Sequence, residues 1–249
     1  MEKVEVLIKN GIGEISFFNP KGNSLNSKIL KGLTASFDEL SKNDEVKLIV
    51  LKSLGEGAFC GGAAINEMKD LNEYSHAEKY FLNFSDLIKS IITNTKLIIC
   101  RVHGKVVGGG VGLISACDFV IANNLAEVRL SEFAIGIGPF VISPVLEKRM
   151  GNSALKSLTL DYDWHSAEWA YNKGLYDKIV NNNSDLDKVV NEHIAKISQG
   201  NSETASELKK IFWSDANSII QTMNKRAEQS ARLLISEHTQ NQLNNFLKE

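Results

Sequence analysis

Apolar and polar residues alternate through "VEVLIKN" (4–10) and "GEISFF" (13–18), on either side of "NGIG". That pattern predicts two antiparallel strands joined by a tight turn. In "NSLNSKILKGLTASFDELSKN" the spacing becomes helical, with Ile29, Leu30, Leu33, Phe37 and Leu40 on one face. "VKLIVLKS" (46–53) predicts a short buried strand, "AEKYFLNFSDLIKSIITN" (77–94) a helix, and "KLIICRVHG" (96–104) the next strand. Beyond a run of glycines, "GLISACD" suits a helix and "FVIAN" (119–123) a further strand. Strands alternating with helices argue a mixed α/β body. From about residue 184 the strand signals stop, and four segments ending in "SEHTQNQLNNFLKE" read as helices, with Ser236 capping the last. The expected organisation is a core over residues 1–195 and a helical region over residues 196–249.

Composition narrows the class. The chain has 249 residues, 43% hydrophobic and 23% charged, as in an ordinary globular protein. A net charge of −2 gives no global attraction to nucleic acid or an anionic membrane. The N-terminus has no apolar signal-peptide centre, and the most apolar stretch is interrupted by glycines and Asp118. Cys60, Cys100 and Cys117 are widely spaced and form no zinc-type cluster, which reads as reduced core thiols in a cytoplasmic protein.

Two glycine-rich loops each follow a predicted strand: "GEGAFCGGAAINEM" (55–68) and "HGKVVGGGVGL" (103–113). At a strand-to-helix junction, bare N–H groups point outward and favour negative charge, so two converging loops make an oxyanion hole from backbone alone. The competing reading is tight helix–sheet packing. Neither loop has the order of a nucleotide cradle. Glu132, in "RLSEFAIGIGPF", sits among Leu130, Phe133, Ala134 and Ile135, where desolvation raises a carboxyl pKa toward neutrality and suits acid–base work. Cys60 has no well-oriented histidine partner, and Ser115 is not in a nucleophile elbow. Asp118 reads as a tie to the strand after it, and the stripe Tyr80, Phe81, Phe84 as core.

Together these segments resemble the crotonase superfamily of enoyl-CoA hydratases and isomerases, over essentially the whole chain. "AFCGGAAINEM" looks like the family's F-x-x-G-A-D-x-x-E-M loop, and "RVHGKVVGGGVGLISACDFVIA" like its triple-glycine segment. "LSEFAIGIGP" looks like its x-x-E-x-x-x-G-x-x-P turn, and "GNSALKSLTLDYDWHSAEWAYNKGLYDKIV" like the stretch that follows. The resemblance implies a spiral of β-β-α turns with a C-terminal helical trimerisation region. It also implies a homotrimer or a hexamer built as a dimer of trimers. The substrate would be an acyl-CoA, with no metal or redox cofactor and neither nucleic acid nor membrane as partner. Residue by residue, it gives Ala63 and Gly109 N–H as holders of the thioester oxygen and Glu132 as the acid–base group. Ala64, Ile65, Gly108, Gly110, Gly112 and Pro139 would line the substrate. Phe246 and Lys248, in the last helix, would meet the adenine and 3′-phosphate of CoA.

The departures are specific. Gly112 stands where the best-known hydratases carry a second glutamate, and Ala64 where the family often has aspartate. "ISP" (142–144) resembles the single-glutamate methylglutaconyl-CoA hydratases. The expected reaction is hydration of an α,β-unsaturated acyl-CoA, with a branched chain such as methylglutaconyl favoured. A Δ3–Δ2 enoyl-CoA isomerase and a non-catalytic member binding acyl-CoA or acyl-carrier protein stand as alternatives.

Overall fold

The computed structural model describes residues 1–246. Strands β1 (Lys3–Lys9) and β2 (Ile12–Phe18) form the antiparallel hairpin, turned by Asn10 and Gly11, both at positive φ. Helix α1 (Ser27–Lys42) follows, capped by the Asn26 side chain, which accepts from Ile29 N–H at 2.9 Å. It buries the face that its periodicity predicts. Strand β3 (Leu48–Ser53), the short helix α2 (Ile65–Lys69), helix α3 (Tyr74–Ile92) and strand β4 (Leu97–Val102) come next. Then come β5 (Val106–Val107), α4 (Gly109–Ser115), β6 (Phe119–Asn123) and β7 (Val128–Arg129). Helices α5 (Ser143–Leu160) and α6 (Ala167–Asn172) lead to β8 (Lys178–Val180). Helices α7 (Asn183–Ile197), α8 (Ser202–Phe212), α9 (Ala216–Leu234) and α10 (Glu237–Phe246) complete the described chain.

The main sheet runs β1-β2-β3-β4-β6-β8, parallel after the first pair, and β5 pairs with β7 in a separate two-stranded sheet. Side chains alternate across β3, as a strand covered on both faces requires. Ile49 and Leu51 enter the large core shared with α1, α3, α4 and α9. Leu48 and Val50 pack beneath α7 against Leu186 and Val190. The helical tail belongs to the large core, to which it contributes Met223, Ala227, Ala231, Leu234 and Leu243. Asp118 is a tie, but to the strand before it and not the one after: its carboxylate accepts from Ile98 N–H at 2.7 Å and pairs with buried Lys209 at 2.7 Å, joining α8 to β4.

The second glycine loop departs from its predicted boundaries. The helix begins at Gly109, three residues before "GLISACD", so three glycines lie inside it. Glycine disfavours a helix by about 1 kcal/mol per residue. Packing outweighs that cost here, because the residues against this helix leave no room for side chains.

Candidate active site

The two glycine loops meet. Leu25 and Ala63 form an isolated parallel bridge, and Cys60 bridges to Val106, drawing loop 55–68 against the start of α4. Ala63, Gly109 and Glu132 consequently line one cavity that opens to solvent, with Phe81, Phe84, Ile137, Pro139, Phe140, Ile142 and Ser230 around them.

The two amides are aimed by their own peptide groups. In a trans peptide the C=O and N–H point in opposite directions. Leu25 N–H donates to the Gly62 carbonyl at 2.7 Å, which turns the Ala63 N–H the other way. The Gly108 carbonyl accepts from Val111 N–H at 2.8 Å, within α4, which turns the Gly109 N–H out of the helix start. Among the described residues neither amide donates to a protein acceptor. Two unclaimed donors facing one cavity can hold a developing oxyanion.

Glu132 is half-buried as a residue, but its carboxyl is enclosed: Oε2 is out of solvent and has no hydrogen-bond partner. Burial pushes its pKa from 4.5 to about 7, and main-chain contacts at Glu132 and Ser131 pull it back only in part. A group that holds its proton up to neutrality can both give and take one. The rejected nucleophile stays rejected, since burial pushes the Cys60 thiol up to about 12.

Each glycine of the run faces a different neighbour. Gly108, at φ 51°, lies under the Glu132 carboxyl, and a β-carbon there would come 2.6 Å from Oε1. At Gly109 it would come 2.5 Å from the Phe84 ring. Its bareness therefore admits Phe84, and the packing reading holds at 109 even though the N–H faces the cavity. Gly108, Gly110 and Gly112, expected to line the substrate, are not among the residues lining this cavity. A β-carbon on Gly110 would come 2.7 Å from the Cys60 side chain, and one on Gly112 would overlap Ile142 Cγ2. Ile142 thus fills the space next to position 112.

Pro139, expected to line the substrate, is among the residues lining the cavity, whereas Ile65 packs against the core. Ala64 faces a neighbouring cleft with Lys21, Asn26 and Asn66, and its N–H donates to the Tyr80 hydroxyl at 2.9 Å. Lys248 and the Phe246 side chain lie outside the described residues. The sequence reading missed Phe81, Phe84 and Ser230 as cavity residues. Phe81 and Phe84 share the buried face of α3 with core residues, and Ser230 arrives from α9 with no local signal.

The family model for enoyl-CoA hydratase/isomerase matches residues 7–248. The chain belongs to this family. It is accordingly an enzyme of the hydro-lyase or isomerase type. It is 30% identical over 178 residues to a short-chain-enoyl-CoA hydratase of Clostridium acetobutylicum, spanning 70% of this chain and 68% of that one. It is 26% identical over 217 residues to the bacillaene synthase dehydratase PksH of Bacillus subtilis, spanning 85% and 80%. The crystal structure of enoyl-CoA hydratase from Bacillus halodurans superposes with a TM-score of 0.92 at 20% identity, covering 97% of this chain and 99% of that one. That likeness establishes the mixed α/β crotonase fold with its C-terminal helices.

Proposed function

We propose that this family member hydrates an α,β-unsaturated acyl-CoA whose acyl chain is short and uncharged. The observation that carries the reading is the cavity itself: two unclaimed amides and one neutral-range carboxyl meet within an apolar wall. Ala63 and Gly109 N–H hold the thioester oxygen and stabilise it more as an enolate than as a carbonyl, which is what lowers the barrier. Glu132 takes a proton from water as it adds to Cβ and returns one to Cα. The wall supports the uncharged acyl chain. Among the described residues its lining includes no lysine or arginine, so none of these would pair with the second carboxylate of methylglutaconyl-CoA, which would be desolvated beside Glu132. This weighs against the methylglutaconyl substrate favoured by the "ISP" resemblance.

One observation favours a second reading. Among the described residues Glu132 is the sole ionisable one in the lining, and Ile142 crowds position 112, so none of them offers a second carboxyl to steady a water. A single carboxyl suffices to move a proton between Cα and Cγ, as in a Δ3–Δ2 isomerase. Absorbance of the conjugated thioester separates the two. Loss on crotonyl-CoA, with methylglutaconyl-CoA turned over far more slowly, is the expected result. A gain on a 3-enoyl-CoA with no loss on crotonyl-CoA assigns the isomerase. Absence of turnover on any enoyl-CoA returns the non-catalytic alternative.

A trimer or dimer of trimers and a cytoplasmic location complete the proposal. Exposed apolar side chains at Leu160, Trp164, Ile211 and Phe212 support the assembly, which light scattering reads directly. Among the described residues no helix is long and apolar enough to cross a membrane.

A further inference from the structure

The loop that carries Glu132 is held by a helix a hundred residues downstream. Its outer side, Phe133 and Ala134, is exposed, while Ile135 and Ile137 are buried. Ile135 N–H donates to the Ser131 carbonyl at 3.3 Å and Gly136 N–H to the Phe133 carbonyl at 3.2 Å, and two further hydrogen bonds meet at one peptide of the turn. Ile137 N–H donates to the Glu132 carbonyl at 3.0 Å, and the Thr239 hydroxyl of α10 donates to the Gly136 carbonyl at 2.9 Å. The Gly136 carbonyl and the Ile137 amide are the two ends of one planar peptide. Rotating that peptide breaks both bonds, so α10 grips the unit that closes the turn on Glu132.

The contact is a close one. Gly136 has φ 84°, and a β-carbon there would come 2.7 Å from Thr239 Oγ1 and 3.1 Å from the His238 ring. Thr239 is fully buried, and Ser236 Oγ, at the start of α10, lies 3.2 Å from its hydroxyl. At the far end of Glu132, Oε2 has no hydrogen-bond partner, and the contacts that reach the carboxyl come from the main chain at Glu132 and Ser131. The direction of the carboxyl is therefore set from its main chain.

We propose that Thr239 is a positioning residue for Glu132, acting through the Gly136–Ile137 peptide to keep the carboxyl aimed into the cavity. The catalytic consequence rests on the role given to Glu132 above; the clamp itself does not. Loosening the loop admits water to the carboxyl and moves its proton affinity back toward the ordinary carboxylate range. The groups lining the cavity with Glu132 are Phe81 and Phe84 from α3, Ile142 from just before α5 and the uncharged Ser230 from α9, and the titratable neighbour of Gly136 is His238.

The test uses the full chain with Thr239→Val, which keeps the shape and removes the hydroxyl, and Thr239→Ser, which keeps the hydroxyl. For valine we expect kcat about tenfold lower, the size of one lost hydrogen bond, with KM within about twofold. The acid limb of the kcat/KM profile should move down by about one pH unit, and serine should retain both values. Wild-type kcat and pH limb in the valine variant, or serine falling as far as valine, overturns the proposal. Amide exchange at Ile137 gives a readout free of activity. Faster exchange in the valine variant supports the clamp, and unchanged exchange removes it, even if Glu132→Gln were to show that the base lies elsewhere. Should the valine variant fail to fold, the wild-type chain still decides. An Ile137 amide exchanging as fast as an unstructured peptide overturns the clamp, and strong protection upholds it.

Discussion

Replacing Glu132 by glutamine should make the protein less active and more stable, by an amount that grows with pH. The folded carboxyl keeps its proton up to about pH 7, whereas the unfolded one releases it near 4.5. Between those values the folded state binds more protons, so wild-type stability falls as pH rises, and the loss is complete above about 7. At about 1.4 kcal/mol per pH unit, the ionised carboxyl costs the folded state about 3 kcal/mol. Glutamine has the same shape and no charge to lose, so it escapes that cost. Urea unfolding at pH 5 and pH 8.5 should show the difference between variant and wild type widening by about 2.5 kcal/mol in favour of glutamine. Turnover on crotonyl-CoA should fall at least about a hundredfold, the low end for acid–base catalysis. A stability difference that stays constant with pH would refute the buried carboxyl, and kcat within a fewfold of wild type would remove Glu132 from the chemistry.

Three further substitutions test the frame around the site. Gly109→Ala should displace the Phe84 ring and cost about 1–3 kcal/mol, with Phe84→Leu in the same chain recovering part of it; no recovery in urea titrations would show that Phe84 is not the obstacle. Tyr80→Phe removes the hydroxyl that accepts from Ala64 N–H and donates to the Leu25 carbonyl, both at 2.9 Å. It should cost about 1–3 kcal/mol, and an unchanged denaturation midpoint would contradict the bonding described. Lys209→Met leaves the buried Asp118 carboxylate without its cation and should cost about 3–5 kcal/mol; a loss below 1 kcal/mol would mean the pair is solvated.

The hairpin, α1 and the alternation of strands and helices were legible because each is written in local periodicity. Glu132 was legible only in part: of the adjacent apolar residues Leu130 and Ile135 are buried but Phe133 and Ala134 are exposed, and the carboxyl lies against Gly108, 24 residues earlier. The reason for the glycines was not. Phe84, Cys60 and Ile142 each lie well outside the run they press against, and no local pattern pairs Gly109 with Phe84 or Gly112 with Ile142. The same limit hid the cavity wall. Helical spacing shows that Phe81 and Phe84 face inward, but not that this part of the face borders a void. Asp118 shows the partial case. Its tie to a strand was readable, yet the strand is β4, which precedes it, and the partner Lys209 lies 91 residues further on.

The overlap between position 112 and Ile142 also constrains how this chain can change over generations. Any side chain acquired at 112 first meets an isoleucine, so the step overpacks and costs about 1–3 kcal/mol. Taking the other order, trimming Ile142 to alanine opens a void and costs about 2–5 kcal/mol before anything is gained. Against a typical total of about 5–15 kcal/mol, either first step consumes much of the margin. A second acidic group at 112 is thus reachable only from an ancestor with stability in reserve, or by both changes together. A library that varies one codon at a time will score 112 as intolerant of everything but glycine, while one that varies 112 and 142 jointly can open the position.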